Sequence, residues 1–581
     1  MKHANFFSDR LPARQCQTPL AVLACVAVSL TAAHAQTAPP DAGSLRQQIE
    51  QQREQSAPSP VRPQQSAPPP VRPLRAAPLP PESRLQGSLS VQIKQFRFAG
   101  NTLLSADKLA PAVAGFLNQT LGFADLQRAA DAVAGVYREA GWIVRAYLPE
   151  QDISEGVVTV QVVEARFAGL RVEGLPPQRV RQAEVEAFIM SGQTVGQPLA
   201  ADALDRGLLL ADDLPGISVA GTLEPGQSDG DTALVLKTTD EPFVLGDVGL
   251  DNTGARATGT ERLSVNLNIN SPGGRGELLT AYLLHSQGSD YGRIALTMPY
   301  GYNGLRLGVS LSSMDYKVIE GPGRAAEVRG RSVSMGIDMS YPLVRSRMSN
   351  VYATAGLENK TFFSQNITAV QSDYESYALR AGLSGNRFDD IGGGGANSGS
   401  LQILGGRLAH MLMHSQLGNI DAAFHKVNYT FSRQQHLVDS HTLFFSLQGQ
   451  HATQVLDSSE KFYIGGSQSV RAYPVSELGG ERGQLLSAEW RWRLDAQWAL
   501  TGFIDHGRVV SLPVTTSDQK TALTLRGHGL SASWQAAMGV VTKLTWSRRD
   551  GSNPKANINT GADGDGTLKI NRLWLTTNIA F

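Results

Sequence analysis

From about Leu245 to the end of the chain, apolar and polar residues take turns. Leu263, Val265, Leu267 and Ile269 alternate with Arg262, Ser264, Asn266, Asn268 and Asn270 until Ser271-Pro272-Gly273-Gly274 ends the run. Leu305, Leu307, Val309 and Leu311 alternate with Arg306, Gly308, Ser310 and Ser312. Leu443, Phe445 and Leu447 do the same with Thr442, Phe444, Ser446 and Gln448. A period of two sorts each set onto its own face of a strand, and a turn signal closes each strand. A soluble β protein would need a second apolar face to fill its core, and none is left over. The pattern therefore predicts a membrane all-β barrel, with apolar faces on hydrocarbon and polar faces on a wet lumen. At roughly 20 residues per strand and connection, residues 243–581 hold about 16 antiparallel strands, even in number as bacterial barrels require. The last strand, Asn571 to Phe581, puts Leu573, Leu575, Thr577, Ile579 and Phe581 on one face.

Upstream of Leu245 the period changes. Leu126, Ala129, Ala130, Val133, Val136, Tyr137 and Ala140 form a helical stripe. It lies between strands that start near Ile93, Phe96 and Phe98 and resume over Ile143 to Leu148 and Val157 to Val163. A second β-α-α-β-β set follows. Phe167 to Glu173 reads as strand, Gln182–Met190 and Ala201–Ala211 as helices, and Ile217–Leu223 and Thr232–Thr238 as strands. Two small α+β domains, 91–166 and 167–242, are expected ahead of the barrel.

The N-terminal part reads as three pieces. Lys2, Arg10 and Arg14 precede an apolar run from Leu20 to Leu30, and Ala33-His34-Ala35 offers small residues for cleavage, so 1–35 reads as a signal peptide. Residues 36–90 hold a short helix and a Pro-rich linker. The helix, Leu45 to Gln55, is polar nearly all round, with only Leu45 and Ile49 apolar. It is unstable alone in water and needs a polar enclosure. The linker, Ser56 to Pro81, could span roughly 80 Å at about 3.1 Å per residue, more than a barrel's apolar height of about 25 Å. The helix could therefore sit in a pore as a plug, or hang as a loose tether.

Composition narrows the chemistry. Net charge is zero, which argues against nucleic acid or another general polyanion as partner. Both cysteines, Cys16 and Cys25, fall in the signal segment, excluding disulfides and Cys-metal sites beyond it. His410 and His414 have zinc-pair spacing only on a helix; on a strand they stand about 13 Å apart. Gly392 to Gly395 lacks the strand-to-helix context of a phosphate cradle and reads as a flexible extracellular loop. Gly382-Leu383-Ser384-Gly385-Asn386 misses the nucleophile elbow at its last position. No catalytic constellation, metal site or cofactor site is found, so no enzyme is expected.

The stretch from Phe462 to Gly507 is different. Glycines and serines lead into Val470-Arg471-Ala472-Tyr473, as in a mobile loop carrying one cation. Ser487, Glu489, Arg491 and Arg493 then alternate with Leu486, Ala488, Trp490, Trp492 and Leu494, and Phe503, Asp505 and Gly507 share a face of the next strand. V-R-A-Y and F-I-D-H-G together resemble the signature of the two-partner secretion outer-membrane transporters, the haemolysin/filamentous-haemagglutinin transporter family of the assembly-barrel superfamily. Ala472 stands where that signature has Gly. The stretches Y-L-P-E-Q-D-I-S-E-G-V-V-T-V and L-L-L-A-D-D-L-P-G-I resemble that family's POTRA domains.

The resemblance implies that Arg471, on a loop folded into the barrel, pairs with Asp505 on the inner wall, with Val470, Tyr473, Phe503 and Gly507 as motif support. In a wet lumen such a pair attracts by at most about 4 kcal/mol before desolvation. Phe581 resembles the terminal signal read by the barrel-assembly machinery. The implied function is export of a large partner exoprotein, of haemolysin or adhesin type, recognised through its N-terminal secretion domain. The barrel would sit in outer-membrane lipid with its POTRA domains in the periplasm. An assembly insertase of the same superfamily, a passive porin and a lipid-modifying barrel enzyme are the alternatives.

Overall fold

The computed structural model describes residues 40–56, 91–321, 323–413, 423–513 and 520–581. The expected signal peptide and nearly all of the Pro-rich linker lie outside these residues. Helix α1 (Ala42–Ser56) comes first. The first α+β unit contains β1 (Val91–Gln92), β2 (Gln95–Ala99), α2 (Ala106–Val113), β3 (Thr120–Leu121), α3 (Phe123–Glu139), β4 (Val144–Tyr147) and β5 (Val157–Glu164). Its sheet runs β2-β5-β4, with β2 parallel and β4 antiparallel to β5. Leu126, Ala129, Ala130, Val133 and Tyr137 of α3 pack on Val158, Val160 and Val162 of β5. Ala140, expected on this stripe, follows the last turn as the C-cap and is exposed.

The second unit repeats the plan with β6 (Arg166–Glu173), α4 (Gln182–Met190), α5 (Ala201–Asp212), β7 (Ile217–Pro225) and β8 (Asp231–Asp240). Its sheet order, β6-β8-β7, reproduces the first-last-middle arrangement of the first unit.

The barrel starts with β9 (Val244–Asp251), β10 (Arg262–Asn270), β11 (Leu278–Ser286), β12 (Ser289–Pro299) and β13 (Arg306–Lys317). It continues with β14 (Arg329–Arg345), β15 (Ser349–Gln365), β16 (Val370–Asp389), β17 (Gly395–Met413), β18 (Ala423–Val438) and β19 (His441–Ala452). A hairpin of β20 (Phe462–Ile464) and β21 (Leu478–Gly480) interrupts the series. The wall then resumes with β22 (Arg482–Arg493), β23 (Trp498–Ser511), β24 (Thr521–Gln535), β25 (Val540–Arg549) and β26 (Asn571–Ala580).

These sixteen wall strands are all antiparallel, and β26 closes on β9. Phe581 extends that seam by exchanging two backbone hydrogen bonds with Gly246, at 2.9 and 3.0 Å. The outer face is apolar, with Leu311, Met335, Ile337, Leu357 and Ile403 more than half exposed, as the alternation requires.

The second unit docks on one rim and fixes the polarity of the barrel. Arg345 grips Asp213 with two hydrogen bonds of 2.7 Å, Arg347 grips Asp205, and Phe188 meets Tyr302 edge-to-face at 5.5 Å. The Gly392–Gly395 turn lies on this same rim, not on the opposite, extracellular one expected for it. β16 runs down toward the docked unit because strand direction alternates from β9 onward. Gln435 holds the turn by donating to the carbonyls of Ile391, Gly392 and Gly394.

Candidate functional site

Residues 453–481 join β19 to β22 on the rim away from the α+β units, yet the loop runs back into the lumen. Its β20–β21 hairpin lies against the inner wall, and Val470, Ala472 and Tyr473 at the tip are buried. The wall supplies a receptor built by register. Ser487 pairs with Asp505, and Glu489 with Phe503, across β22 and β23, so all four side chains face inward together.

Arg471 fills that receptor. Its Nε and Nη2 donate to the two Asp505 oxygens at 2.9 and 2.7 Å, and its backbone N–H reaches Oδ2 at 3.1 Å. Nη1 donates to Glu489 at 2.8 Å and Nη2 to Ser487 at 2.9 Å. The guanidinium lies 3.4 Å from the Phe503 ring centroid. Arg471 is 6% exposed and Asp505 4%. A lone pair in a wet lumen was expected; the structure has a dry, multiply bonded cation. Low local dielectric and bidentate geometry make this a stronger hold than a solvated pair.

The tip also reaches the seam of the barrel. The Arg471 carbonyl accepts from Ser547 Oγ on β25 at 2.7 Å and from Trp574 Nε1 on β26 at 2.8 Å. Glycines in the wall make this approach possible. A Cβ on Gly507 would stand 2.8 Å from Val470 Cγ2 and 2.9 Å from Ile464 Cδ1, which is why F-I-D-H-G ends in Gly. Ala472 does not adopt a positive φ, so its turn needs no glycine. Instead its methyl occupies space left by Gly527 on β24, where a Cβ would lie 2.6 Å away.

The root of the loop rests on a second buried node. Glu460 takes Lys426 at 2.8 Å and Lys360 at 3.3 Å, and Asp457 accepts from Tyr374 at 2.7 Å. Helix α1 lies beside this node inside the lumen. Asp41 caps it by accepting from the Ser44 amide at 2.8 Å. Leu45 and Ile49 pack among wall residues including Tyr291, Phe362 and Tyr374. Arg46, 1% exposed, donates to Ser312 at 2.8 Å, to Ser332 at 3.1 Å and to Ser334, and pairs with Glu50 at 2.7 Å. The wall thus provides the polar enclosure that this helix lacks by itself. Gly43 abuts the loop: a Cβ there would sit 2.6 Å from Ser458 Oγ.

All the motif residues singled out from sequence meet at the loop tip: Val470, Arg471, Tyr473, Phe503, Asp505 and Gly507. Phe581 is elsewhere, on the outer face at the seam, 59% exposed. Sequence reasoning missed Arg46, Lys360, Lys426, Glu460, Gly527, Ser547 and Trp574. A lysine at an inward position of an alternating strand is the one local hint, and it does not name its partner.

A closed sixteen-strand barrel, two preceding α+β units of which the second docks on one rim, and a lumen holding an in-folded loop define an outer-membrane transporter of the two-partner secretion class. Residues 230–534 match the family described as haemolysin secretion/activation protein ShlB/FhaC/HecB, and residues 91–165 match the POTRA domain, ShlB-type. The chain belongs to the ShlB/FhaC/HecB family. It is similar to the heme/hemopexin transporter protein HuxB of Haemophilus influenzae, 24% identical over 470 residues, 78% of this chain and 80% of that protein. It is also similar to the outer membrane transporter CdiB of Escherichia coli O6:K15:H31, 26% identical over 411 residues, 68% of each. In fold it resembles the solved CdiB from Escherichia coli, with TM-score 0.68 and 22% identity over 94% of this chain and all of that one. Its place is the outer membrane, with POTRA structure in the periplasm, and its work is protein export for a partner exoprotein.

Proposed function

We propose that export uses two separable obstructions, a removable helix α1 and a loop tip that stays bound to the wall while the partner passes. The observation that carries this reading is the receptor for Arg471, made entirely of wall side chains, beside an α1 whose main charge is neutralised within the helix. We assign 91–166 and 167–242 as tandem POTRA units and 243–581 as the barrel.

The partner arrives unfolded in the periplasm, and its N-terminal secretion domain adds as a strand to a POTRA sheet edge. β4 and β7 each pair on one side only, which leaves such edges open. Engagement draws α1 out, and the chain threads the vacated lumen in extended form. Folding of the passenger outside makes the movement one-way. Phe581, on the lipid face at the closing seam, serves insertion by the barrel-assembly machinery.

A disulfide tests the first step. The Ala42 amide lies 3.3 Å from Ser364 Oγ, and no cysteine exists beyond the signal segment. An Ala42→Cys/Ser364→Cys chain should stop export when oxidised and recover on reduction. Undiminished export from the oxidised form rejects a departing helix.

A further inference from the structure

The outer wall carries a charged concavity that neither the loop nor α1 uses. Across the register of β11 to β15, His285, Asp290, Asp315, Arg331 and Phe363 stand side by side at one level. One outward step higher, Lys317, Arg329 and Gln365 form a second row. Two outward steps below the first row the wall is apolar, with Ile294, Leu311 and Met335 58%, 53% and 63% exposed. At about 3.3 Å per residue the first charged row sits roughly 13 Å above them. Charge therefore begins where hydrocarbon gives way to the headgroups of the outer leaflet.

The wall is also stepped here. The β11–β12 hairpin turns at Gln287-Gly288, while β13, β14 and β15 reach Lys317, Arg329 and Gln365 above it. The step leaves a ledge enclosing about 730 Å³. Arg331 is held by Asp315 at 2.7 Å and His285 meets Asp290 at 2.6 Å. Among the described residues, Lys317 and Arg329 have no carboxylate within ion-pair distance. Three cations against two carboxylates leave an excess positive charge beside an apolar surface. A guanidinium fork with a lysine suits phosphate oxygens, and the carboxylates suit a divalent cation shared with that phosphate.

We propose that this ledge binds the phosphorylated sugar headgroup of an outer-leaflet glycolipid, its acyl chains lying on the Ile294–Leu311–Met335 surface. The site would tie one sector of the barrel to the leaflet while the lumen changes state.

The test uses the full mature chain in detergent, titrated with bisphosphorylated lipid A, the same lipid dephosphorylated, and inorganic phosphate, with binding read by native mass spectrometry. Heat-modifiable migration on gels verifies that each variant barrel is folded. Lys317→Glu/Arg329→Glu should weaken lipid A binding by about tenfold or more, dephosphorylation should do the same, and inorganic phosphate should not compete. Arg508→Glu/Arg526→Glu, a charge-matched pair on β23 and β24, should bind as the parent. The proposal is overturned by unchanged affinity of the ledge variant, by an equal loss in the control pair, or by inorganic phosphate alone displacing the lipid.

Discussion

Among the described residues two arginines are buried inside this barrel, and their surroundings differ in kind. Arg471 faces the wall carboxylates Asp505 and Glu489. Arg46 faces three wall serines, and its own carboxylate partner, Glu50, rides on the same helix. Pulling the loop tip away strands buried carboxylates, and breaking a buried pair from one side costs about 3–5 kcal/mol. Sliding α1 out removes a cation together with its counter-ion and leaves neutral hydroxyls that water can satisfy. One arginine is bound to the wall; the other travels with its charge balanced. The contrast explains how a single lumen can hold a durable fixture beside a removable one.

The largest break in this contrast is Arg471→Ala. It leaves Asp505 buried without its cation, and export should fall at least about tenfold while the barrel stays inserted, by secretion assay and gel mobility. Arg471→Lys keeps charge but loses the bidentate fork, so an intermediate loss is expected. Normal export by the alanine variant would show that passage does not need the loop tip held on the wall.

Arg46→Ala is next. It deletes charge-assisted hydrogen bonds worth about 1.5–3 kcal/mol each in favourable cases. Conductance in planar bilayers should rise as α1 leaves more often, with export retained. A plug that stays closed would mean that Leu45, Ile49 and Gly43 hold it without the cation.

A smaller effect comes from Gly527→Ala, whose new methyl meets Ala472. Overpacking of this kind costs about 1–3 kcal/mol. Export should drop partially and recover in part with Ala472→Gly, since the new methyl also stands 3.0 Å from the Arg548 carbonyl oxygen. Failure of that rescue would show that the two positions do not share the space assigned to them.

The least effect is expected in the first POTRA unit. Burial works to raise the Glu164 carboxyl, but the amides of Leu103 and Thr102 and the hydroxyls of Thr102 and Tyr137 outweigh it and hold it below the usual range. A depressed folded value stabilises the unit above the unfolded value, near 4.3, and that contribution is lost as pH falls through the folded one. Hydrogen exchange on the intact protein should show protection of α3 and β5 declining below about pH 4. Glu164→Gln should be less protected at neutral pH and lose that decline in β5, while α3 keeps a smaller one from Asp125, whose carboxyl the Gly122 amide holds below its usual range.

Local pattern was enough for the architecture. Alternation in runs such as Leu263–Ile269 and Leu305–Leu311, a 3.6-residue stripe on α3 and a repeated β-α-α-β-β order each depend on neighbours within a few residues, so barrel and units were legible, and the strand count followed from length at roughly 20 residues per strand and connection. V-R-A-Y and F-I-D-H-G pointed to the loop tip and its wall partner only through their resemblance to a family signature, since no local period links positions 34 residues apart. What the sequence could not determine is whatever joins residues hundreds of positions apart. Arg46 with Ser334, Lys360 with Glu460, and the Arg471 carbonyl with Trp574 meet only because the wall closes on itself. Even the helix shows the division: its polar residues announce that it needs an enclosure, but only the closed barrel decides which hydroxyls supply it. Burial, too, belongs to the closed structure, because an arginine in a loop becomes a dry cation only once strands from opposite ends of the domain have shut water out.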